Sequence, residues 1–475
     1  MSEKRRLAIN TLLIGASNIS SKAISLLMLP FYTAVLSTSE YGTTDLIITY
    51  ASLFVPLIAL NMETAMFRHL VDARSNNELK NKIITNALEV VVLSLAVAGI
   101  IFCFANTFLQ IPMAASIAFY FFSISFGNII LQVARGLGDT KAFAATGIAQ
   151  GVLGAILSLV FLYIFNMGPQ GILFGLGIGI FLPAVLLSIV LKMFNNIKLS
   201  ARDTATKKEL LRYSLPLVPN SISWWVYNAS DRTIITAIIG PAANGIYAVT
   251  NKFSGVLNAL WSVFYMSWSE SAAININKPG RDRFFSEIAN MTIKAFGSIA
   301  MFGTMLTQIA FPLFASAEYN EALLYVPILM FAGILNIITG FYNSVYIAKK
   351  MTKQVMITSM IAAGINIIVN LALISFIGIW AAAISTAVAY GVMAINRHYD
   401  MKKYVKIKYE KGIFVKVILL FAVVSALYYL NNIWASIAGL VIAIVAGVVL
   451  NRGLIKNIIA KAKTFLKSRQ KRVNN

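Results

Sequence analysis

The sequence predicts an all-α polytopic membrane protein of about 14 transmembrane helices, and three observations predict it. Of its 475 residues, 58% are hydrophobic and 12% charged. The mean hydropathy of +0.76 lies far from that of soluble domains. Apolar runs long enough to cross about 30 Å of hydrocarbon recur along the whole chain. Lys and Arg concentrate in every second segment between those runs, as the positive-inside rule requires.

Six spans are predicted near 10–36, 44–66, 82–104, 112–134, 142–165 and 170–191. A polar stretch from Lys192 to Arg212 follows. Eight more spans lie near 214–239, 244–268, 288–313, 321–347, 355–376, 378–396, 412–430 and 433–450. The runs lack the two-residue alternation of barrel strands, which leaves helices to satisfy backbone polar groups in lipid. This order divides into two six-helix pseudo-symmetric bundles, 1–197 and 198–408, around a central cavity. Two additional helices in 409–450 and a basic tail in 451–475 complete the chain.

The basic segments are Lys4 to Arg6, Arg68 to Lys82, Arg135 to Lys141, Lys192 to Arg212, Lys278 to Arg283, Lys349 to Lys353, Arg397 to Lys411 and Arg452 to Arg472. They hold 35 of the 40 Lys and Arg residues. The alternate connections, around Ser39, Asn106, Gly168, Pro241, Ala317, Gly378 and Asn431, hold none. Both termini are therefore expected in the cytoplasm. The net charge of +22 is a topology signal rather than a nucleic-acid footprint. The tail from Lys461 to Arg472 suits a surface of anionic phospholipids. Lys4, Arg5 and Arg6 precede an apolar run that continues to Val35 without a small-residue cleavage pattern, so it reads as a retained first helix.

The chemistry of soluble enzymes has no foothold here. There is no phosphate-binding GxxxxGK[ST] loop and no HExxH. Cys103 is the one cysteine, read as a small apolar filler. His69 and His398 fall in basic loops as solvated side chains. No enzyme activity, cofactor or metal is expected.

Five basic residues remain inside the predicted spans: Lys22, Arg232, Lys252, Lys294 and Lys416. Lys416, near a span end, reads as snorkelling to the surface. The other four are deeper, where an ionisable group is costly and faces a cavity or a partner. Polar stripes at helical spacing accompany them: Asn18, Ser21, Lys22 and Ser25; Ser125, Asn128, Gln132 and Arg135; Asn220, Trp224, Tyr227 and Asp231; Asn251, Ser254, Asn258 and Ser262; Asn336, Thr339, Gly340 and Asn343. Helix-to-helix hydrogen bonding accounts for any single stripe. Their recurrence points to a wet central cavity, and the excess of cations suits a phosphate or diphosphate. The acids Asp45, Glu63, Glu89, Asp231 and Glu270 lie nearer the span ends. Asp231 and Arg232 are adjacent, so they point about 100° apart on a helix. Pro30, Pro56, Pro183, Pro216 and Pro219 interrupt spans.

An internal repeat supports the two-bundle division. LSTSEYGTTDL from Leu36 matches IGPAANGIYAV from Ile239 so that Gly42 and Gly245 coincide, 203 residues apart. Thr140-Lys141 and Thr352-Lys353 each open a long apolar run. Parallel repeats of this kind are typical of alternating-access carriers.

Three segments carry a resemblance. They are KRRLAINTLLIGASNISSKAISLLMLPFYTAVLSTSEYG at the start, RGLGDTKAFA after the fourth span, and LLRYSLPLVPNSISWWVYNASDRTIITAIIGPAANGIYAV around the seventh. The chain resembles, over essentially its whole length, the O-antigen and capsule repeat-unit flippases of the multidrug/oligosaccharidyl-lipid/polysaccharide exporter superfamily. The resemblance implies outward flipping of an undecaprenyl-diphosphate-linked oligosaccharide in a bacterial inner membrane, beside polysaccharide polymerase and chain-length machinery. On this reading Lys22, Arg232, Lys252 and Lys294 attract the diphosphate. Trp224, Tyr227, Asn258 and Asn343 contact the sugars, Glu63 and Asp231 are candidates for ion coupling, and the protein works as a monomer. The alternatives are an ion-coupled multidrug exporter, which calls for acidic residues at the cavity centre, and a membrane-embedded glycan polymerase or ligase, which calls for a sizeable outer loop.

Overall fold

A computed structural model of the chain describes residues 23–456, and every regular element among them is helical. Contacts divide the chain into two compact units at Ala248/Val249. In the first unit the helices are α1 (Leu29–Val35), α2 (Thr38–Ile58), α3 (Met62–Asp72), α4 (Asn77–Leu109), α5 (Ala114–Leu137), α6 (Thr140–Leu159), α7 (Gly168–Val190), α8 (Thr204–Ser214), α9 (Leu217–Ile238) and the opening turns of α10 (Pro241–Asn275). The second unit continues α10 and adds α11 (Arg281–Phe314), α12 (Ala322–Ala348), α13 (Thr352–Ile377), α14 (Trp380–Met401), α15 (Ile413–Tyr429) and α16 (Ile433–Leu450).

Among the described residues, nine helices are long and apolar enough to cross a membrane: α2, α4, α5, α6 with its continuation to Ile164, α7, α11, α12, α13 and α16. Ala23–Val35 and α15 are shorter apolar helices. The protein is a multi-pass membrane protein. Only 11% of the apolar window of α4 is buried, against 67% for α12. On α4, Val92, Leu93, Ile100, Ile101, Phe104 and Phe108 are all exposed, a surface that suits acyl chains rather than water. Cys103 lies on this exposed side too.

The second predicted span, 44–66, is broken. Pro56 removes a helical donor, and Leu60 and Asn61 take left-handed φ values of 53° and 50°. The chain therefore ends α2 and restarts as α3. At the other end of α2, Ser37 and Glu40 form a reciprocal capping box.

Small residues set the helix approaches in each unit. In the first, a Cβ on Gly175 would sit 2.3 Å from Ser158 N, and one on Gly179 would sit 2.2 Å from Gly154 Cα. Backbones of α6 and α7 thus touch, a common way for helices to associate in lipid. In the second, α10 and α12 join through Asn336 Nδ2 donating to Asn258 Oδ1 (3.1 Å) and Asn343 Nδ2 donating to the Tyr265 hydroxyl (2.9 Å). Both partners step by seven residues between rungs, two helical turns. Trp268 stacks on Phe341 at 4.6 Å between them. Phe421, Val424 and Tyr428 of α15 and Ala443 and Ala446 of α16 share one hydrophobic core with α10, α11 and α12. The packing groups α9 with the first unit and α15 and α16 with the second.

Each unit also ties a linker to one long helix. On α4, Asn86 Nδ2 donates to Ala201 O (3.0 Å) while its Oδ1 accepts from Asp203 N–H (2.9 Å). On α11, Asn290 Nδ2 donates to Lys408 O (3.0 Å) while its Oδ1 accepts from Glu410 N–H (2.9 Å). The second linker is an extended strap. Lys406, Lys408 and Glu410 are exposed, whereas Val405, Ile407 and Tyr409 pack against the core. Its N–H groups at 406, 408 and 410 donate to Asp282, Ser286 and Asn290 in turn. Four helical residues rise about 6.0 Å and two extended residues about 6.6 Å, so the registers stay in step for three rungs.

Candidate functional site

Inside the first unit, α2 and α9 run antiparallel with a polar seam between them. At one end Arg232 Nε lies 3.2 Å from Asp45 Oδ2, and its Nη1 donates to Thr49 Oγ1. In the middle Trp225 Nε1 donates to the Thr49 carbonyl (3.2 Å). At the far end Asn61, at the break after α2, donates through Nδ2 to Ser221 Oγ (3.2 Å). Asp45 is 5% exposed, so the pair with Arg232 is what permits a carboxylate there. Asp231 turns the other way and accepts from the Tyr247 hydroxyl (3.0 Å). The adjacent acid and base thus each find a partner on another helix.

The glycine match falls beside this seam. A Cβ on Gly42 would lie 1.9 Å from Pro241 O and 2.6 Å from Gly245 N. A Cβ on Gly245 would lie 2.0 Å from Thr38 O. Asn244 Nδ2 donates to Gly42 O at 2.7 Å. The two repeat positions are therefore in contact, where α2 and α10 begin, and neither tolerates a side chain.

The remaining expected site residues are distributed as follows. Lys22 lies outside the described residues, as do the side chains of Trp224 and Tyr227. Lys252 is partly buried on α10 in the second unit. Lys294, expected to be a deep cavity cation, forms an ion pair with Glu410 at 2.5 Å, at the end of the strap. Asn258 and Asn343 make the α10–α12 rungs, so helix-to-helix bonding accounts for them. Glu63 opens α3, and its Oε2 is buried without a hydrogen-bond partner among the described residues.

Two cations read as loop residues carry more than solvation. Arg397, at the end of α14, is 3% exposed. It donates to Thr358 Oγ1 (3.0 Å), Thr339 O (3.0 Å) and Ser359 Oγ (3.2 Å). Arg74 donates to Gly136 O at 2.7 Å and ties α3 to the end of α5. His398, also placed in a loop, faces the Tyr342 hydroxyl at 3.0 Å. Burial, with the Lys402 charge adding to it, holds the His398 pKa below its ordinary value of 6.5. The sequence signal for Arg397 was its place at the helical end of the basic segment, one turn after Met393.

Comparisons with known proteins bear on this arrangement. A family model described as "Polysaccharide biosynthesis protein" matches residues 7–269. No curated protein matches the chain in sequence. Among solved structures, the chain is similar to the lipid II flippase MurJ in an inward closed conformation, with 16% identity over 95% of this chain and 100% of that one, at a TM-score of 0.66. It is similar to an inward-facing multidrug resistance MATE family transporter of the MOP superfamily, with 13% identity over 83% of this chain and 97% of that one, also at 0.66. An outward-facing structure of such a transporter gives 13% identity, 83% and 95% coverage, and a TM-score of 0.56. At these identities the likeness establishes a shared fold.

Proposed function

The chain belongs to the polysaccharide biosynthesis protein family, and on that premise we propose that it is a flippase for a lipid-linked oligosaccharide. It moves an undecaprenyl-diphosphate-linked repeat unit from the cytoplasmic to the outer leaflet of a bacterial inner membrane by alternating access, with both termini in the cytoplasm. The observation that carries the reading is the family match over 7–269, which contains the whole α2–α9 seam. A fold shared with a lipid II flippase supports it, because both substrates would pair a polar headgroup with a chain that stays in the bilayer.

In this mechanism Arg232, with Lys22 and Lys252, attracts the diphosphate. Its guanidinium has five donors and spends two on Asp45 and Thr49, so it retains donors for a phosphate oxygen. Trp224 and Tyr227 contact the sugars. Asn258 and Asn343, which also make the α10–α12 rungs, contact the sugars. Lys294 joins the diphosphate set as well, with Glu410 as its partner in the absence of substrate. Glu63, with an unpaired buried oxygen, and Asp231 are the ion-coupling candidates.

Arg232→Gln alone strands Asp45 as a buried unpaired carboxylate, at about 3–5 kcal/mol. A cleaner test pairs Arg232→Gln with Asp45→Asn, which keeps the seam neutral. In cells lacking the wild-type protein, the double variant should insert normally, and lipid-linked repeat units should build up on the cytoplasmic side. Normal glycan delivery by the double variant would remove Arg232 from the mechanism.

A further inference from the structure

We propose that the cleft between α11, the strap and the end of α16 is a binding site for the headgroup phosphate of a membrane phospholipid carrying a hydroxyl or amine donor. The proposal does not depend on the flippase reading. The cleft lies wholly inside the second unit and has a volume of about 820 Å³.

Its charges are partly spent on one another. Arg283 pairs with Glu287 at 2.9 Å, and Lys294 pairs with Glu410. Asp282 accepts the Lys406 backbone N–H and lies 3.5 Å from the Arg281 guanidinium. What remains is the ammonium groups of Lys406 and Lys408. They project from alternate positions of the strap into the cleft, and neither has an ion-pair partner among the described residues. Their backbone positions lie about 6.6 Å apart along the extended chain, close enough for two flexible lysine stems to bring both unpaired ammonium groups to one phosphate.

A second feature narrows the ligand. Asn451, 9% exposed, lines the same cleft and donates through Nδ2 to Ser298 Oγ (3.1 Å) and Gly447 O (2.9 Å). Its Oδ1 is buried and accepts no hydrogen bond among the described residues. A buried orphan acceptor costs about 1–3 kcal/mol, and a donor on the ligand removes that cost once the Asn451 side chain turns toward the cleft it lines. Glycerol and ethanolamine headgroups supply such a donor beside their phosphate, and choline does not. Met291, Leu450 and Leu454 give the cleft an apolar wall for the first carbons of the acyl chains. The strap belongs to a basic segment, so the lipid comes from the leaflet facing the basic loops.

The test is native mass spectrometry of the purified full-length protein, titrated with phosphatidylglycerol, phosphatidylethanolamine and phosphatidylcholine. The wild type should retain the glycerol and ethanolamine lipids in preference to the choline lipid. Lys406→Gln combined with Lys408→Gln should weaken that retention roughly tenfold. These side chains are exposed, so the fold should survive. A control pair at another basic segment, Lys80→Gln with Lys141→Gln, should change nothing. Equal retention of all three lipids, or an unchanged double variant, overturns the site. Displacement by soluble glycerol phosphate at the same concentration as lipid would assign it to a soluble phosphate compound and overturn the lipid source.

Discussion

The linkers at Asn86 and Asn290 make an instructive pair. Both asparagines give one amide donor to a carbonyl and take one N–H from two residues further on. Around this shared bracket almost everything else differs. In the first unit the linker is built of short 3-10 turns at Met193–Asn196 and Leu199–Ala201, and Asp203 goes on to cap α8. In the second it is an extended strap. The charges are also inverted: Glu89 of α4 holds Arg202 of its linker and Lys207 of α8, whereas Lys294 of α11 holds Glu410 of the strap. A bracket made to backbone atoms leaves linker side chains free to diverge. Hence Arg202 of the first linker is engaged by an acid, whereas Lys406 and Lys408 of the second stay available.

The largest expected effect tests whether the brackets are equivalent. Asn290→Leu orphans the Lys408 carbonyl and the Glu410 N–H, and Asn86→Leu does the same to Ala201 and Asp203. Each should cost about 2–3 kcal/mol, read as a lower midpoint in thermal unfolding of detergent-solubilised protein. A loss in one unit with none in the other would break the comparison.

A smaller effect separates the two ends by pH. His398 anchors the strap region with a pKa below 6.5, so the unfolded chain binds its proton more readily than the folded one. Its contribution is fully present above pH 6.5 and declines as pH falls from there toward the folded value. The Asp203 carboxyl is held below 3.8, first by the Thr206 hydroxyl and then by the N–H groups of Thr206 and Ala205. Its contribution is lost only as pH falls below 3.8. Between pH 7.5 and 5 the second unit should therefore lose stability, and His398→Gln should flatten that slope. An unchanged slope in the variant would remove His398 as its source.

Legibility followed the physics of each signal. Spans were readable because hydropathy reports the lipid-facing stretch, yet the helices overrun it: α11 begins at Arg281 rather than 288, and its polar first turns are what carry the strap. The glycine pair was found because it sits in matched short motifs. The asparagine pair, 204 residues apart and so within one residue of the glycine offset of 203, was missed because one amide on an apolar helix reads as an ordinary interhelical bond. Arg232 was recognised as an intramembrane cation, but Asp45, 187 residues earlier in the chain, gave no sign of being its partner. Arg397 escaped because a basic segment next to a span reads as solvated.

The most direct test of the account is reconstitution of the purified protein into vesicles holding a fluorescent undecaprenyl-diphosphate oligosaccharide, with an impermeant quencher added outside. The account predicts that vesicles with wild-type protein expose the inner-leaflet pool to the quencher, while vesicles with the Arg232→Gln, Asp45→Asn protein do so far more slowly. Exposure no faster with wild-type protein than in protein-free vesicles, under any applied ion gradient, would contradict it.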